Sequence, residues 1–411
     1  MDIKRYETML DNANHSHGIR RGEIVWVGGQ TGQQPQASTN AQPDFPAQIT
    51  NAVNHVASVL SEAKTDLQDL VFLLCFYVED GTRSENTVLD LLAKSLPDGV
   101  KTAINLVPVQ SLVHQGQLVE LEGYAMRRVN GDYMPRSYAV SATDRAQSDK
   151  FCAGIRCGKM IFVSGQSPMD KDGCVHAPKD IIAQTIFEMR EIGNTLTQFG
   201  AGFGDVVKSN RWYSGRARVE DFEPAALACA QFYSDPGPAA TGIPVPRFSN
   251  PDVVIKLSCV AMLGERGQHL SRQHVWPVGH WDWTIDLPYK HGVRCEDVIF
   301  LGGQVSLNDK GQAIDAGNLA DQVQRSMGHI ETLLHAFGTD HSDLCKLTTL
   351  YRRANNADAK LSVPSDHFQN TSRPGPANTQ IPFPDLAYPG LEVEIEAFAV
   401  VTQDNARTGH V

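Results

Sequence analysis

Three stretches decide the architecture: Ile24–Gln30 reads IVWVGGQ, Met160–Gln166 reads MIFVSGQ and Val298–Gln304 reads VIFLGGQ. Each is a short apolar, β-branched run that ends on glycine, the pattern of a buried strand closing at a bend. Their residues Gly28, Ser164 and Gly302 lie 136 and 138 positions apart. A Gly-(Ile/Val)-Arg triplet precedes each one: Gly18-Ile19-Arg20, Gly154-Ile155-Arg156 and Gly292-Val293-Arg294. A period this long is that of a domain, not of a solenoid repeat. The chain therefore reads as one domain written three times.

Working outward, a long amphipathic stretch follows each strand end, over 48–63, 184–199 and 321–337. In the third, Val323, Met327, Ile330, Leu333, Leu334 and Phe337 recur every three or four residues, an apolar stripe for packing on a sheet. An apolar run rich in β-formers comes next, at 70–78 and 344–351, and then a shorter helix near 87–95, 224–233 and 364–370. Two closing strands end each unit: VKTAINLVPV with LVELEGYAM, GPAATGIPVP with VVIKLSCVAM, and GPANTQIPFP with VEVEIEAFAV. Each unit thus reads β-β-α-β-α-β-β, an α+β layer with its helices on one face. Joined by a turn such as 383–390, the closing strands are expected to pair as a hairpin, in which residues equidistant from the turn face each other. That arithmetic sets Lys101 opposite Glu120 and Asn378 opposite Glu394. The expected units span 1–130, 151–265 and 289–411. Between them lie a polar linker, 131–150, and a linker at 266–288 that holds Trp276, Trp281 and Trp283 of the chain's five tryptophans. So much aromatic surface is expected to pack along the body.

The 411 residues are 41% hydrophobic and 20% charged, an ordinary globular composition, with a formal net charge of −11. An acidic chain without a basic run is a poor partner for nucleic-acid phosphates. No apolar stretch approaches the ~20 residues that span a bilayer, and the N-terminus has no apolar signal core. Eight cysteines are scattered without a CxxC pair, against a disulfide framework or a structural zinc site. A cytoplasmic protein is expected. The glycine-rich strand ends lack the context of a phosphate-binding loop. His269, His274 and His280 read as surface or packing histidines rather than metal ligands. No metal or cofactor is expected.

The (Ser/Gly)-Gly-Gln strand end, the long helix, the late Gly-Pro-Ala segment and the terminal Glu-Ile-Glu-Ala strand resemble the RidA/YjgF enamine/imine deaminase family. The third unit is the most similar, with Leu301-Gly302-Gly303-Gln304, Gly375-Pro376-Ala377 and Glu394-Ile395-Glu396-Ala397. The resemblance implies a single-chain pseudotrimer with inner sheets, outer helices and three unequal inter-unit clefts. It also implies a monomer with a small-molecule substrate and no nucleic-acid or membrane partner.

The family's carboxylate-clamping Arg follows the Pro-Ala. The matching places hold Ala240 and Asn378, with Lys101 taken as the counterpart in the first unit, so no Arg stands there. This departure speaks against a monocarboxylate amino-acid derivative as the favoured ligand. The family's acid matches Glu120 and Glu394, with Lys256 in the second unit, where it is expected to be a cation without a partner. The family's cleft aromatic matches His15, Phe151 and Tyr289, and its Ser matches Gly28, Ser164 and Gly302. The candidate catalytic residues are therefore Glu120, Lys101 and Glu394. The candidate substrate-binding residues are His15, Gly29, Tyr289, Gly303, Asn378, Phe151 and Ser164. Glu120 facing Lys101 is the foremost pair, with a structural ion pair as its alternative. Arg20, Arg156 and Arg294 fit inter-unit salt bridges. The implied function is a hydrolase or deaminase acting on an imine, enamine or amide-like nitrogen compound. A chorismatase-like hydrolase on a similar trilobed scaffold and a non-catalytic ligand-binding or regulatory protein are the alternatives.

Overall fold

The structure, a computed structural model, describes residues 15–33, 43–140, 148–170, 172–353, 368 and 375–401. The first unit comprises β1 (Gly18–Arg21), β2 (Ile24–Thr31), α1 (Phe45–Glu62), β3 (Leu70–Val78), α2 (Glu85–Ser95), β4 (Ala103–Val109) and β5 (Val119–Met126). A linker strand, β6 (Arg136–Ala139), precedes the second unit. That unit has β7 (Gly154–Cys157), β8 (Met160–Val163), α3 (Ile181–Gln198), β9 (Val206–Ser214), α4 (Val219–Ala230), β10 (Ala239–Val245) and β11 (Ile255–Met262). After β12 (Arg272–Val275) the third unit has β13 (Gly292–Cys295), β14 (Val298–Val305), α5 (Leu319–Ala336), β15 (Leu344–Arg352), β16 (Ala377–Phe383) and β17 (Val393–Val400). The helix expected over 364–370 falls, but for Phe368, outside the described residues.

Each unit forms one sheet, in the orders β1-β2-β5-β3-β4, β10-β9-β11-β8-β7-β6 and β12-β13-β14-β17-β15-β16. Here the hairpin expectation fails. β4 pairs with β3 in parallel, while β5 pairs antiparallel with β2 and β3, so the closing strands never touch as neighbours. The reason is the helix between β3 and β4. A strand–helix–strand crossover brings the chain back parallel, at the edge of the sheet. The last strand then fills the slot between β2 and β3. Lys101 is therefore not opposite Glu120, nor Asn378 opposite Glu394.

The long helices cover the outer faces. α1 buries Ile49, Ala52, Val53, Val56 and Leu60, and is capped by Asp44, whose side chain accepts from the Ala47 N–H. One buried glutamine on each long helix fixes the loop before the last strand. Gln48 donates to the Gly116 carbonyl and accepts from the Leu118 N–H. Gln184 does the same with Asp252 and Val254, and Gln322 with Gly390 and Glu392. Arg20, Arg156 and Arg294 are structural, but not as inter-unit salt bridges. Their guanidiniums donate to backbone carbonyls within their own units, such as those of Ala63, Gly264 and Phe337.

The inner faces share one core. Phe72, Tyr124, Phe162, Phe300 and Phe398 interlock with ring centroids 5.6–6.0 Å apart. Two buried ion pairs cross it, Lys208–Glu396 at 2.7 Å and Lys346–Glu122 at 2.8 Å. Glycine lets the units close on one another. A Cβ on Gly28 would sit 2.6 Å from the Asn378 carbonyl oxygen, and one on Gly302 2.6 Å from that of Ala240. The Gly165 N–H donates to the Ile104 carbonyl. The first unit thus leans on the third, the second on the first and the third on the second, a closed ring within one chain.

Candidate functional site

The ring has three clefts, each between the glycine strand of one unit and the edge strand of another. Register defines equivalent positions. Phe72, Lys208 and Lys346 pair with Ala103, Ala239 and Ala377. The first unit's counterpart of Ala240 and Asn378 is therefore Ile104. Lys101 lies three residues earlier, with its ammonium 5.2 Å from the centroid of the Tyr138 ring in β6. It is a surface cation–π contact of the linker, remote from the role expected for it.

Between the first and second units the cleft keeps an outer cavity of about 480 Å³, lined by Ser84 and Glu85 of the first unit and Phe248, Asn250 and Val253 of the second, but its acid position is taken by a cation. Lys256, at the position of the family acid, forms a 2.6 Å ion pair with Glu85 and donates to the Leu106 carbonyl. The cation expected to lack a partner has one. Ser164 is committed as well: its Oγ donates to the Cys152 carbonyl and accepts from the Ile104 N–H. Phe151 bridges to Thr102 and packs against the first unit's core.

Between the third and first units stands Glu120. Its carboxyl lies over Gly29, where a Cβ would come 1.9 Å from Oε1. Burial, and then the neighbouring Glu122, raise its pKa to about 8, against the pull of Lys346. Asn378 belongs here rather than with Glu394, since its backbone abuts Gly28 and its Oδ1 accepts from the Thr349 hydroxyl. His15 sits at this edge, next to Ser16, which bridges to Ala377. No arginine occupies the equivalent of β9 position 211, which is Thr349 here.

Between the second and third units lies a narrow cleft, with a cavity volume of about 30 Å³. Glu394, Gly303 and Tyr289 line it from the third unit, and Ala240, Gly242 and Arg211 from the second. Glu394 rests against Gly303, where a Cβ would come 1.8 Å from Oε1. Burial raises its pKa to about 8, against the attraction of Lys208 and Arg211. The carboxyl is thus a protonated acid near neutral pH. Facing it is a residue that the sequence reading passed over. Arg211 on β9 pairs across the parallel ladder with Gly242 on β10. Its guanidinium lies in the space a side chain at 242 would fill, 2.6 Å from a Cβ there. The equivalents of Gly242 are Leu106 and Gln380, and those of Arg211 are Cys75 and Thr349. An arginine beside a glycine occurs in one unit alone. The signal was present in the aligned strands VVKSNRWYS and GPAATGIPVP, but only a parallel register makes the two residues neighbours.

Arg211 is 5% exposed, and its Cζ stands 4.9 Å from the Phe222 ring centroid. The Tyr289 hydroxyl and the Cys229 thiol are close by. Among the described residues, no carboxylate forms an ion pair with it and its Nε has no hydrogen-bond partner. Buried guanidiniums are almost always paired, so this one has charge left over that an anion from outside can meet. The 266–288 linker packs along the body as expected. Trp281 is 3% exposed, and Trp281 and Trp283 wall the same cleft. His269 and His280 bond to separate partners, Asp205 and Gln304.

Among the described residues no helix is long and apolar enough to cross a membrane. A 2-iminobutanoate/2-iminopropanoate deaminase from Dermatophagoides farinae is 26% identical to this chain over 114 residues, 28% of this chain and 86% of that protein. A protein of the same name from Capra hircus is 30% identical over 114 residues, 28% and 80% of the two chains. A chorismatase crystal structure matches with a TM-score of 0.50 at 12% identity, over 81% of this chain and 93% of that one, a likeness of fold. The model of the family described as Endoribonuclease L-PSP matches residues 7–127, 143–263 and 285–401. The chain belongs to that family, of which it carries three copies in tandem.

Proposed function

We propose that the chain is a small-molecule deaminase whose working cleft is the one between the second and third units, and that it hydrolyses 2-imino acids to 2-oxo acids and ammonia. The observation that carries this reading is Arg211: a buried cation without a protein anion, facing a protonated Glu394 across a floor of glycine and alanine. The clamp that is missing after the Pro-Ala is supplied from the adjacent strand. The curated relatives named as 2-imino acid deaminases support the same reaction class.

In this mechanism the guanidinium of Arg211 holds the substrate carboxylate through two parallel hydrogen bonds. Glu394 gives its proton to the imine nitrogen. It then takes one from a water molecule as the water oxygen bonds to C2, which leaves a carbinolamine. The same carboxyl protonates the amine, the C–N bond breaks, and ammonia departs. The proton of the remaining hydroxyl returns to Glu394 as the 2-oxo acid forms. One water is consumed, and the enzyme ends as it began. A single guanidinium in the cleft favours a monocarboxylate over the dicarboxylate that a chorismatase-like reading would require. The chain acts as a monomer, its ring closed internally.

The test is ammonia release from 2-imino acids made in situ by an amino-acid oxidase, measured above the spontaneous rate. Glu394→Gln should lower turnover by ~10²–10⁴-fold, and Arg211→Ala should raise KM. Glu120→Gln should leave turnover within a few-fold. Activity lost with Glu120→Gln but kept with Glu394→Gln would move the site to the other cleft.

A further inference from the structure

We infer, on the footing of the cleft assignment above, that Trp281 and Trp283 are specificity-determining residues that restrict the cleft to monocarboxylates with an apolar side chain, branched aliphatic or aromatic. Beyond Arg211 and the protonated Glu394, the lining carries no acidic or basic side chain. It consists of Phe222, Tyr388, Leu391 and Val305, with the two indoles of the linker. A ligand whose carboxylate meets Arg211 and whose reacting carbon lies under Glu394 must turn its side chain toward these walls. A second carboxylate or an ammonium placed there would lose its hydration and find no partner.

Among the described residues the two indoles have no counterpart in the other clefts. The segment before the second unit also adds an edge strand, β6, but what it offers is Tyr138, exposed and stacked under Lys101. Before the third unit the chain is fastened differently. The Trp281 Nε1–H donates to Gln304 Oε1, 3.1 Å away, and His280 Nε2 lies 2.9 Å from the same oxygen. His291 Nε2 meets the Trp281 carbonyl at 2.9 Å, and the His291 ring stacks on Trp283 with 10° between the planes. The Thr284 hydroxyl reaches both Glu223 of the second unit and the Tyr388 hydroxyl of the third. These bonds fix the indoles before any ligand arrives. They also use up the Trp281 N–H, so that indole offers its aromatic face rather than a donor. A rigid apolar wall added to one cleft of three is a selectivity device.

The experiment has two readouts. Binding is followed by the tryptophan fluorescence of the full-length protein titrated with 2-oxo acids, the reaction products, which need no turnover. 4-Methyl-2-oxopentanoate and phenylpyruvate should bind at least 100-fold more tightly than 2-oxoglutarate. Ammonia release is then compared for imines made from leucine, phenylalanine and glutamate. Trp283→Ala should reduce the preference for apolar over dicarboxylic ligands at least 10-fold. Trp283→Phe, which keeps an apolar ring if the alanine variant fails to fold, should retain most of it. Equal binding of 2-oxoglutarate and 4-methyl-2-oxopentanoate would overturn the inference, as would ammonia release indifferent to the side chain. Selective product binding without ammonia release from any imine would support the ligand class and sink the reaction proposed above.

Discussion

Replacing Gly242 by alanine adds one methyl group, and the structure says what it must do. The new Cβ would lie 2.6 Å from Nη2 of Arg211, 3.2 Å from Cζ and 3.3 Å from Nε. Carbon and nitrogen cannot share that distance, so one of them moves. The backbone at 242 lies outside the left-handed region, and the obstructed atoms belong to the tip of a flexible side chain. The guanidinium therefore gives way, and the strand does not. Alanine in a strand gains roughly 0.5–1 kcal/mol over glycine in backbone entropy, which offsets the disturbance. The melting temperature should thus change little. Ligand binding should not be spared. A displaced guanidinium forfeits one or both of its charge-assisted hydrogen bonds to a carboxylate, each ~1.5–3 kcal/mol. A loss of about 2–4 kcal/mol corresponds to roughly 30- to 900-fold weaker binding. Product titration by fluorescence and KM for ammonia release both measure it, with thermal unfolding as the control. Unchanged affinity at unchanged stability would refute the clamp, because the cation would then have moved without consequence.

Other perturbations test the rest of the molecule. Lys346→Met strands Glu122 in the core, whose side chain is 1% exposed, and should cost about 3–5 kcal/mol. Adding Glu122→Leu should restore most of that, because the third equivalent pair of sites holds Phe72 and Ser258 in place of an ion pair. Thermal unfolding of the two variants decides it. His280, His291 and His329 pack together, 4.3 and 4.5 Å apart through His280, and face Lys290 and Arg325. Burial holds all three below the ordinary histidine value, His291 well below it and His329 at about 4. With the folded pKa depressed, the unfolded chain takes up protons first. Stability is therefore full above pH ~6.5 and falls as the pH drops toward 4. Melting temperatures at pH 7.5, 6 and 5 should decline in that order, less steeply in His329→Leu. Lys256→Glu restores the family acid but sets it against Glu85, now 2.6 Å from the ammonium, and near Glu188. Its melting temperature should fall and its turnover should not rise; increased ammonia release would identify the first cleft as a working site. Because the proposed mechanism needs Glu394 protonated, kcat/KM should fall as the pH rises past about 8, a limb that Glu394→Gln should lack.

The three clefts show how one fold diverges within a single polypeptide. In a homotrimer each cleft must carry the same residues. Tandem fusion lifts that constraint, and here each cleft has gone its own way. One has the Lys256–Glu85 ion pair in place of the acid, beside an open cavity. One keeps the acid Glu120 but has Thr349 and Asn378 where a clamp would be. One keeps Glu394, gains Arg211 from the neighbouring strand and is walled by two tryptophans. The central ion pairs follow the same asymmetry, present at two positions and replaced by Phe72 at the third.

The triplication, the class of fold and the acids Glu120 and Glu394 were legible in the chain. Repeats, apolar stripes and glycine strand ends are local patterns, and a strand or a helix is chosen within a dozen residues. Tyr289 and Gly303 were legible for the same reason, by their fixed spacing from the strand end. The partners of those acids were not, because partnership is non-local. Reading the closing strands as a hairpin put Lys101 beside Glu120, whereas the α2 crossover sends β4 to the sheet edge and leaves β3 between them. Arg211 and Gly242 are 31 residues apart, and only the parallel register of β9 and β10 lays one over the other. That Glu394 faces Arg211, and not Asn378, depends on which unit leans on which. Side-chain pattern within a strand fixes its faces, but the free energy that selects its neighbours comes from closing the ring, where glycines at 28, 165 and 302 let backbones of different units meet.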